Sequence, residues 1–163
     1  MTENNTDLAP RLYLEDLEVG RRFQTGSVVV ERDAIKRFAA EFDPQPFHLD
    51  ERAAEGTFFG GLVASGWHTA AITMRLLVTS GLPISGGVIG AGGELVWPQP
   101  VHPNDELTVS VEVVAAKRSA SRPDRGLVTV RSETRNQRGE TVQIMTARLV
   151  VPARDGAGAY ESK

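Results

Sequence analysis

Residues 62–80 read LVASGWHTAAITMRLLVTS, and the reading of this stretch decides the architecture. Apolar side chains lie almost all round its helical wheel, at Leu62, Val63, Trp67, Ala70, Ile72, Met74, Leu76 and Val78 among others. A helix that is apolar on every side is a buried helix. Arg75 stands inside it, and nothing in the chain approaches the run of about eighteen or more apolar residues that spans a membrane. The stretch therefore predicts a long core helix that the rest of the chain must enclose.

Downstream of it the period changes from helical to alternating. Leu107, Val109, Val111 and Val113 alternate with Thr108, Ser110 and Glu112, the pattern of a half-buried strand. Residues 88–97, 127–134 and 141–151 read as further strands, with turns at Pro123–Gly126 and Asn136–Gly139. Upstream, 23–30 reads as a strand. Residues 32–42 carry Ala34, Ile35, Phe38, Ala39 and Phe42 at helical offsets, with Asp33 in the first turn. Asp50 can cap a short helical turn through Ala53 and Ala54. Strands that follow helices argue for an α+β domain, an antiparallel sheet wrapped around the long buried helix, which is the hotdog arrangement. The organisation expected is a flexible tail over 1–10, one domain over 11–152, and a second flexible tail over 153–163.

Composition excludes several classes of function. A chain of 163 residues with a net charge of −3 lacks the basic excess of a nucleic-acid binder. It has no cysteine, so disulfides, thiolate zinc sites and a cysteine nucleophile are ruled out. That fits a cytoplasmic setting, as does an N-terminus without the apolar stretch of a signal peptide. No side-chain cluster has metal-ligand spacing, and no metal is expected.

The chemistry is concentrated in residues 38–50, FAAEFDPQPFHLD. Pro44 ends the preceding helix. Asp43 and His48 are left in an irregular, proline-stiffened segment. A carboxylate beside an imidazole can orient it and raise its basicity, so the pair can hold and activate a water. The plainer alternative is a capping aspartate and a histidine that merely bonds within a loop. A second feature is Gly60-Gly61-Leu62-Val63-Ala64-Ser65-Gly66, which opens the long helix. Free N–H groups at a helix N-terminus form a natural oxyanion site, although such glycines also serve close helix–sheet packing. His68 reads as a satisfied core histidine, and Trp97 and His102 as packing residues. Arg75, Lys117, Arg118, Arg122 and Arg125 are cations that could meet phosphate groups.

DPQPFHLD, then FGGLVASGWHTAA, then LVWPQPVHPNDELTVSVEV, occur in the order of the MaoC-like family of R-specific enoyl-CoA hydratases and acyl dehydratases, which the chain resembles over roughly residues 12–152. The resemblance implies the hotdog fold, in agreement with the reading above. It implies reversible hydration of a trans-2-enoyl-CoA to the (R)-3-hydroxyacyl-CoA. Asp43 and His48 match the family's catalytic pair. Ser65 and Gly66 match the segment whose backbone N–H receives the thioester carbonyl, and Trp67 and Gln45 are candidate acyl-pocket residues. Gln45 stands where the family has asparagine, and a helix serine of some members falls on Ala71, with Thr69 nearby. No cofactor is implied, coenzyme A being part of the substrate. The substrate is a coenzyme A or acyl-carrier-protein thioester, and the partner a second copy of the chain. Two alternatives on the same fold stay open: a thioesterase, and a non-catalytic subunit that binds acyl thioesters or supports a heteromeric dehydratase.

Overall fold

The structure is a computed structural model and describes residues 11–159. The chain runs β1 (Arg22–Val29), α1 (Arg32–Phe42), α2 (Pro46–Leu49), α3 (Glu51–Glu55), α4 (Gly66–Leu76), β2 (Ile89–Val96), β3 (Glu106–Arg118), β4 (Arg125–Arg135) and β5 (Thr141–Pro152). The strands form one five-stranded sheet in the order β1-β3-β4-β5-β2, and every neighbouring pair is antiparallel. The α+β hotdog expected from the sequence is the observed fold. No helix among the described residues is long and apolar enough to cross a membrane.

The alternation read in 107–113 holds. Leu107, Val109, Val111 and Val113 are buried on the face that meets α4, where Val128 and Val130 of β4 and Leu149 and Val151 of β5 join them. Leu76 and Leu77 descend onto the same layer. One polar row crosses this interior. The Thr73 and Thr134 hydroxyls bond each other at 2.7 Å across the helix–sheet seam, and Ser132 and Gln143 are buried beside them in the sheet.

Four expectations need correction. The central helix does not run from Leu62 to Ser80. Ser65 caps it, its Oγ accepting the Trp67 N–H at 3.2 Å, so α4 begins at Gly66 and passes into a single π turn over Leu77–Gly81. Residues 62–64 are held in an extended course instead. The Val63 N–H donates to the Phe47 carbonyl at 3.1 Å and the Ala64 N–H to the Val101 carbonyl at 2.9 Å. Nor is the helix buried all round. Thr69, Thr73 and Leu76 are buried on the sheet side and His68 is buried against Phe38 of α1, while Trp67 and Met74 are exposed. The segment after Pro44 is not irregular. Pro46 occupies the first turn of α2, where its fixed φ and missing N–H fit a helix start. Finally, the C-terminal tail does not begin at 153. Ala153 is fully buried, with its N–H donated to the Asp124 carbonyl at 2.8 Å. Arg154 pairs with Asp16 at 2.6 Å and opens a 3-10 helix, Arg154–Ala159. The expected tail over 1–10 lies outside the described residues.

Asp105 anchors the connection from β2 to β3. Although 2% exposed, its carboxylate accepts the His102 N–H at 2.8 Å, Gln137 Nε2 at 3.1 Å and Arg138 Nη1 at 3.1 Å. A buried carboxylate is tolerated when its oxygens are satisfied in this way. The turn it holds fixes Val101, whose carbonyl in turn holds Ala64 just ahead of α4.

The two faces of the sheet predict unequal losses on truncation. Leu107→Ala, on the buried face, should cost about 2–5 kcal/mol. Leu127→Ala, on the open face, should stay within about 0.5 kcal/mol. Urea unfolding checks both, and equal losses would contradict this assignment of faces.

Candidate active site

Asp43 and His48 meet. Asp43 closes α1, its N–H still bonded to the Ala39 carbonyl at 2.9 Å, and one turn of α2 carries His48 back toward it. His48 Nε2 lies 3.3 Å from Asp43 Oδ2. The imidazole is 5% exposed, and the Phe47 ring meets it edge-on at 4.6 Å between centroids. Its Nδ1 lies 2.7 Å from the Val63 carbonyl oxygen. A carbonyl can only accept, so Nδ1 carries the proton and Nε2 of the neutral ring presents a lone pair on the Asp43 side.

The carboxylate is held from three directions. Ser65 Oγ–H donates to Asp43 Oδ2 at 2.6 Å, and Gln45 Nε2 donates to Oδ1 at 2.6 Å. His48 Nε2 supplies the third contact, which attracts the carboxylate only when that nitrogen is protonated. These contacts, the Ser65 hydroxyl foremost, hold the Asp43 carboxyl below the ordinary carboxylate range against the opposing effect of burial. Asp43 is therefore a fixed negative charge at neutral pH. Gln45 also borders the cleft. The side chain of Ser65 has a role of its own here: one hydroxyl caps α4 and binds Asp43.

A cleft of about 410 Å³ opens over the pair. Asp43, Gln45 and His48 border it on one side and Gly66, Trp67 and Thr69 on the other. Gly66 is the first residue of the eleven-residue helix α4. Among the described residues its N–H has no acceptor, so a free donor at the positive end of a helix dipole borders the same space as the Asp43–His48 pair. A glycine is required there. A Cβ on Gly66 would stand 2.7–2.9 Å from three ring atoms of Trp97.

Trp97, read as a packing residue, is instead part of the cleft wall, together with Phe47, Phe59 and the exposed Phe58. Nothing local to those residues marks them, since the wall forms only when the chain before α4 and the chain after β2 come together. Ala71 faces solvent, and Thr69, 2% exposed, lines the cleft. His68 is buried as expected and stacked on Phe38 at 4.7 Å, but its Nδ1 has no partner among the described residues. Burial, helped by Arg37, pushes its pKa down. The candidate phosphate-binding cations lie elsewhere: Arg118 is paired with Glu15 and Asp155, and Arg125 with Asp124. A larger concavity, about 520 Å³, lies over the outer face of β1, β3 and β4. Its charges are engaged with one another, as Arg22–Glu112 and Arg131–Glu133–Arg135.

Comparison with known proteins places the chain in a family. Residues 16–136 match the family model described as MaoC like domain. The protein YdeM of Bacillus subtilis is 40% identical over 130 residues, covering 78% of this chain and 89% of its own length. An (R)-specific enoyl-CoA hydratase of Rhodospirillum rubrum is 29% identical over 142 residues, covering 87% of this chain and 93% of its own. The crystal structure of a MaoC-like dehydratase from Rhodospirillum rubrum superposes with a TM-score of 0.86 at 64% identity, covering 88% of this chain and 98% of that one. The R-hydratase PhaJ1 of Pseudomonas aeruginosa, unliganded, gives a TM-score of 0.69 at 28% identity, with 88% of each chain covered. With the family model spanning most of the chain, the protein belongs to the MaoC-like family of dehydratases and hydratases.

Proposed function

We propose that the chain reversibly hydrates trans-2-enoyl thioesters of coenzyme A to (R)-3-hydroxyacyl thioesters. The observation that carries this reading is a water-sized chemistry split across one cleft. An ionised carboxylate and an imidazole lone pair border one side, and an unbonded helix-end N–H borders the other. The names of the enoyl-CoA hydratase relatives support it.

A water held between Asp43 and His48 Nε2 attacks C3 of the enoyl group while Nε2 takes its proton. The electron pair of the double bond moves through C2 onto the thioester oxygen. There the Gly66 N–H stabilises the developing enolate, at a helix end whose dipole favours negative charge. Collapse of the enolate takes a proton at C2 from the His48 imidazolium, so one water is added, the imidazole is neutral again and no electron is gained or lost. Asp43 stays ionised and stabilises the imidazolium that forms beside it. General acid–base action contributes about 10²–10⁴-fold and one oxyanion donor on the order of 10²–10³-fold, so the reading needs both sides of the cleft. It calls for no metal or redox cofactor, and a coenzyme A thioester as substrate suits a cytoplasmic enzyme.

The same reading includes a homodimer. Strand β2 pairs with β5 on one side only, and all its residues but Leu95 are exposed. An open edge of this kind invites a second strand. Sedimentation should give twice the 17.6 kDa chain mass, and a monomer at micromolar concentration would contradict this part.

The test of function is loss of the enoyl-thioester ultraviolet absorbance when the protein is mixed with crotonyl-CoA, without release of free thiol. Asp43→Asn and His48→Ala should each lower kcat by about 10²–10⁴-fold while the protein stays folded by circular dichroism. Release of thiol in step with the absorbance loss would make the protein a thioesterase instead.

Ser65→Ala gives a separate prediction. It removes the strongest of the contacts that lower the Asp43 pKa, so the Asp43 carboxyl should titrate at higher pH, as read by carbon-13 NMR of the side chain. A carboxyl lowered in the folded state adds stability above its unfolded pKa, and that stability is lost as pH falls through the folded value. The variant should therefore show a smaller loss of stability on acidification. With the carboxylate less well held, kcat should fall by up to about 10²-fold.

A further inference from the structure

The cleft does not stop at the tip of α4. Thr69, 2% exposed and one turn into the helix, lines it, so the space runs inward past Gly66. Trp97 lines the same space, and the indole is held on three sides. Its six-membered ring rests on Gly66, where a Cβ would fall within 2.7–2.9 Å of Cε2, Cδ2 and Cζ2. Its Nε1–H donates to Gln143 Oε1 at 2.9 Å. Trp67 meets it edge-to-face at 5.3 Å between centroids.

Gln143 gives this anchor its strength. It is 1% exposed, and its Nε2 already lacks a partner among the described residues. An indole that swung aside would leave the carbonyl end of the same buried amide unpaired as well. Buried polar groups left without partners are costly, so the closed position is strongly preferred. Gln143 pairs across the strands with Thr134, whose hydroxyl bonds Thr73 at 2.7 Å. An alkyl chain pushed past the indole would thus enter a polar row. It would also have to displace an anchored ring.

We propose that Trp97 ends the acyl channel and restricts the protein to short acyl chains, with Gln143 as the residue that positions the indole. This rests on the reading of the cleft as the thioester site. Trp97, 39% exposed but with its Nε1 edge on the buried Gln143, is then the specificity-determining residue. The two roles are separable, because Trp97 lines the cleft and Gln143 does not.

The test compares kcat/KM for crotonyl-CoA and trans-2-octenoyl-CoA in the wild type, Trp97→Ala and Gln143→Met. The octenoyl-to-crotonyl ratio should rise at least about tenfold in Trp97→Ala, and in the same direction by less in Gln143→Met. Trp97→Leu replaces the alanine variant if that one does not fold. In parallel, calorimetry with butyryl-CoA and octanoyl-CoA, which cannot be hydrated, should show the same shift in relative affinity. Ratios unchanged in both assays, in a folded variant of a wild type that hydrates crotonyl-CoA, overturn the channel-end role and leave the hydratase reading standing. A shift in the binding ratio with no turnover by the wild type supports the role of Trp97 and sinks the hydratase reading instead.

Discussion

The hydrogen bond from Ser65 Oγ to Asp43 Oδ2, 2.6 Å long, joins the two halves of the site. The same oxygen accepts the Trp67 N–H and so starts helix α4, while the Ser65 carbonyl accepts the Thr69 N–H at 3.0 Å. The direction of the free Gly66 N–H and the orientation of the Asp43 carboxylate are therefore set through one residue that is completely buried. Neither group can drift relative to the other without breaking a cap, and a cap is worth about 0.5–2 kcal/mol on its own. The bond also has an electrostatic effect. It is the largest of the influences that keep Asp43 ionised, and an ionised Asp43 is what an imidazolium at His48 requires beside it.

The rest of the fold braces that joint. The Val63 carbonyl fixes the tautomer of His48, and the Val63 N–H returns to the Phe47 carbonyl, so the strand-like residues before α4 lock the histidine to the helix that carries it. Ala64 is tied to Val101, and Val101 belongs to the turn that the buried Asp105 holds through three donors. The sheet supplies the base under α4, where apolar packing alternates with the Thr73–Thr134 bond. Preorganisation of this kind keeps a reacting water and an oxyanion donor in register, and small displacements there are costly to rate. Trp97 extends the same logic to substrate choice, because its contact with Gly66 puts a bulky side chain against the helix end itself.

Much of this was legible in the sequence. The alternation of 107–113 identified the inner face of the sheet, and the spacing of Ile35 and Ala39 identified α1. The stretch DPQPFHLD marked the candidate pair, because two prolines and a histidine after a helix end are a local signal. The length of the central helix was misread because apolarity continues through Leu62 and Val63. Only the cap at Ser65 and the strand-like bonds to Phe47 and Val101 reveal the boundary, and the latter are contacts distant in sequence. The side-chain role of Ser65 was hidden for the same reason, since its partner lies 22 residues away. Trp97 carried no mark at all, because its meaning depends on Gly66 and Gln143, each brought to it by the fold. The exposed side of α4 was read as buried because its composition is apolar, whereas burial within one chain depends on what the sheet can cover.

The measurement that tests the central claim most directly follows an oxygen atom. The protein is incubated with crotonyl-CoA in water enriched in oxygen-18, and the products are resolved by mass spectrometry. Water activated by Asp43 and His48 and delivered to C3 places one label in the hydroxyl of an intact 3-hydroxybutyryl thioester, with coenzyme A still attached. Label found in the carboxylate of a free acid, together with unlabelled free coenzyme A, would mean that water is directed at the carbonyl carbon, and the assignment of the cleft to hydration would be wrong.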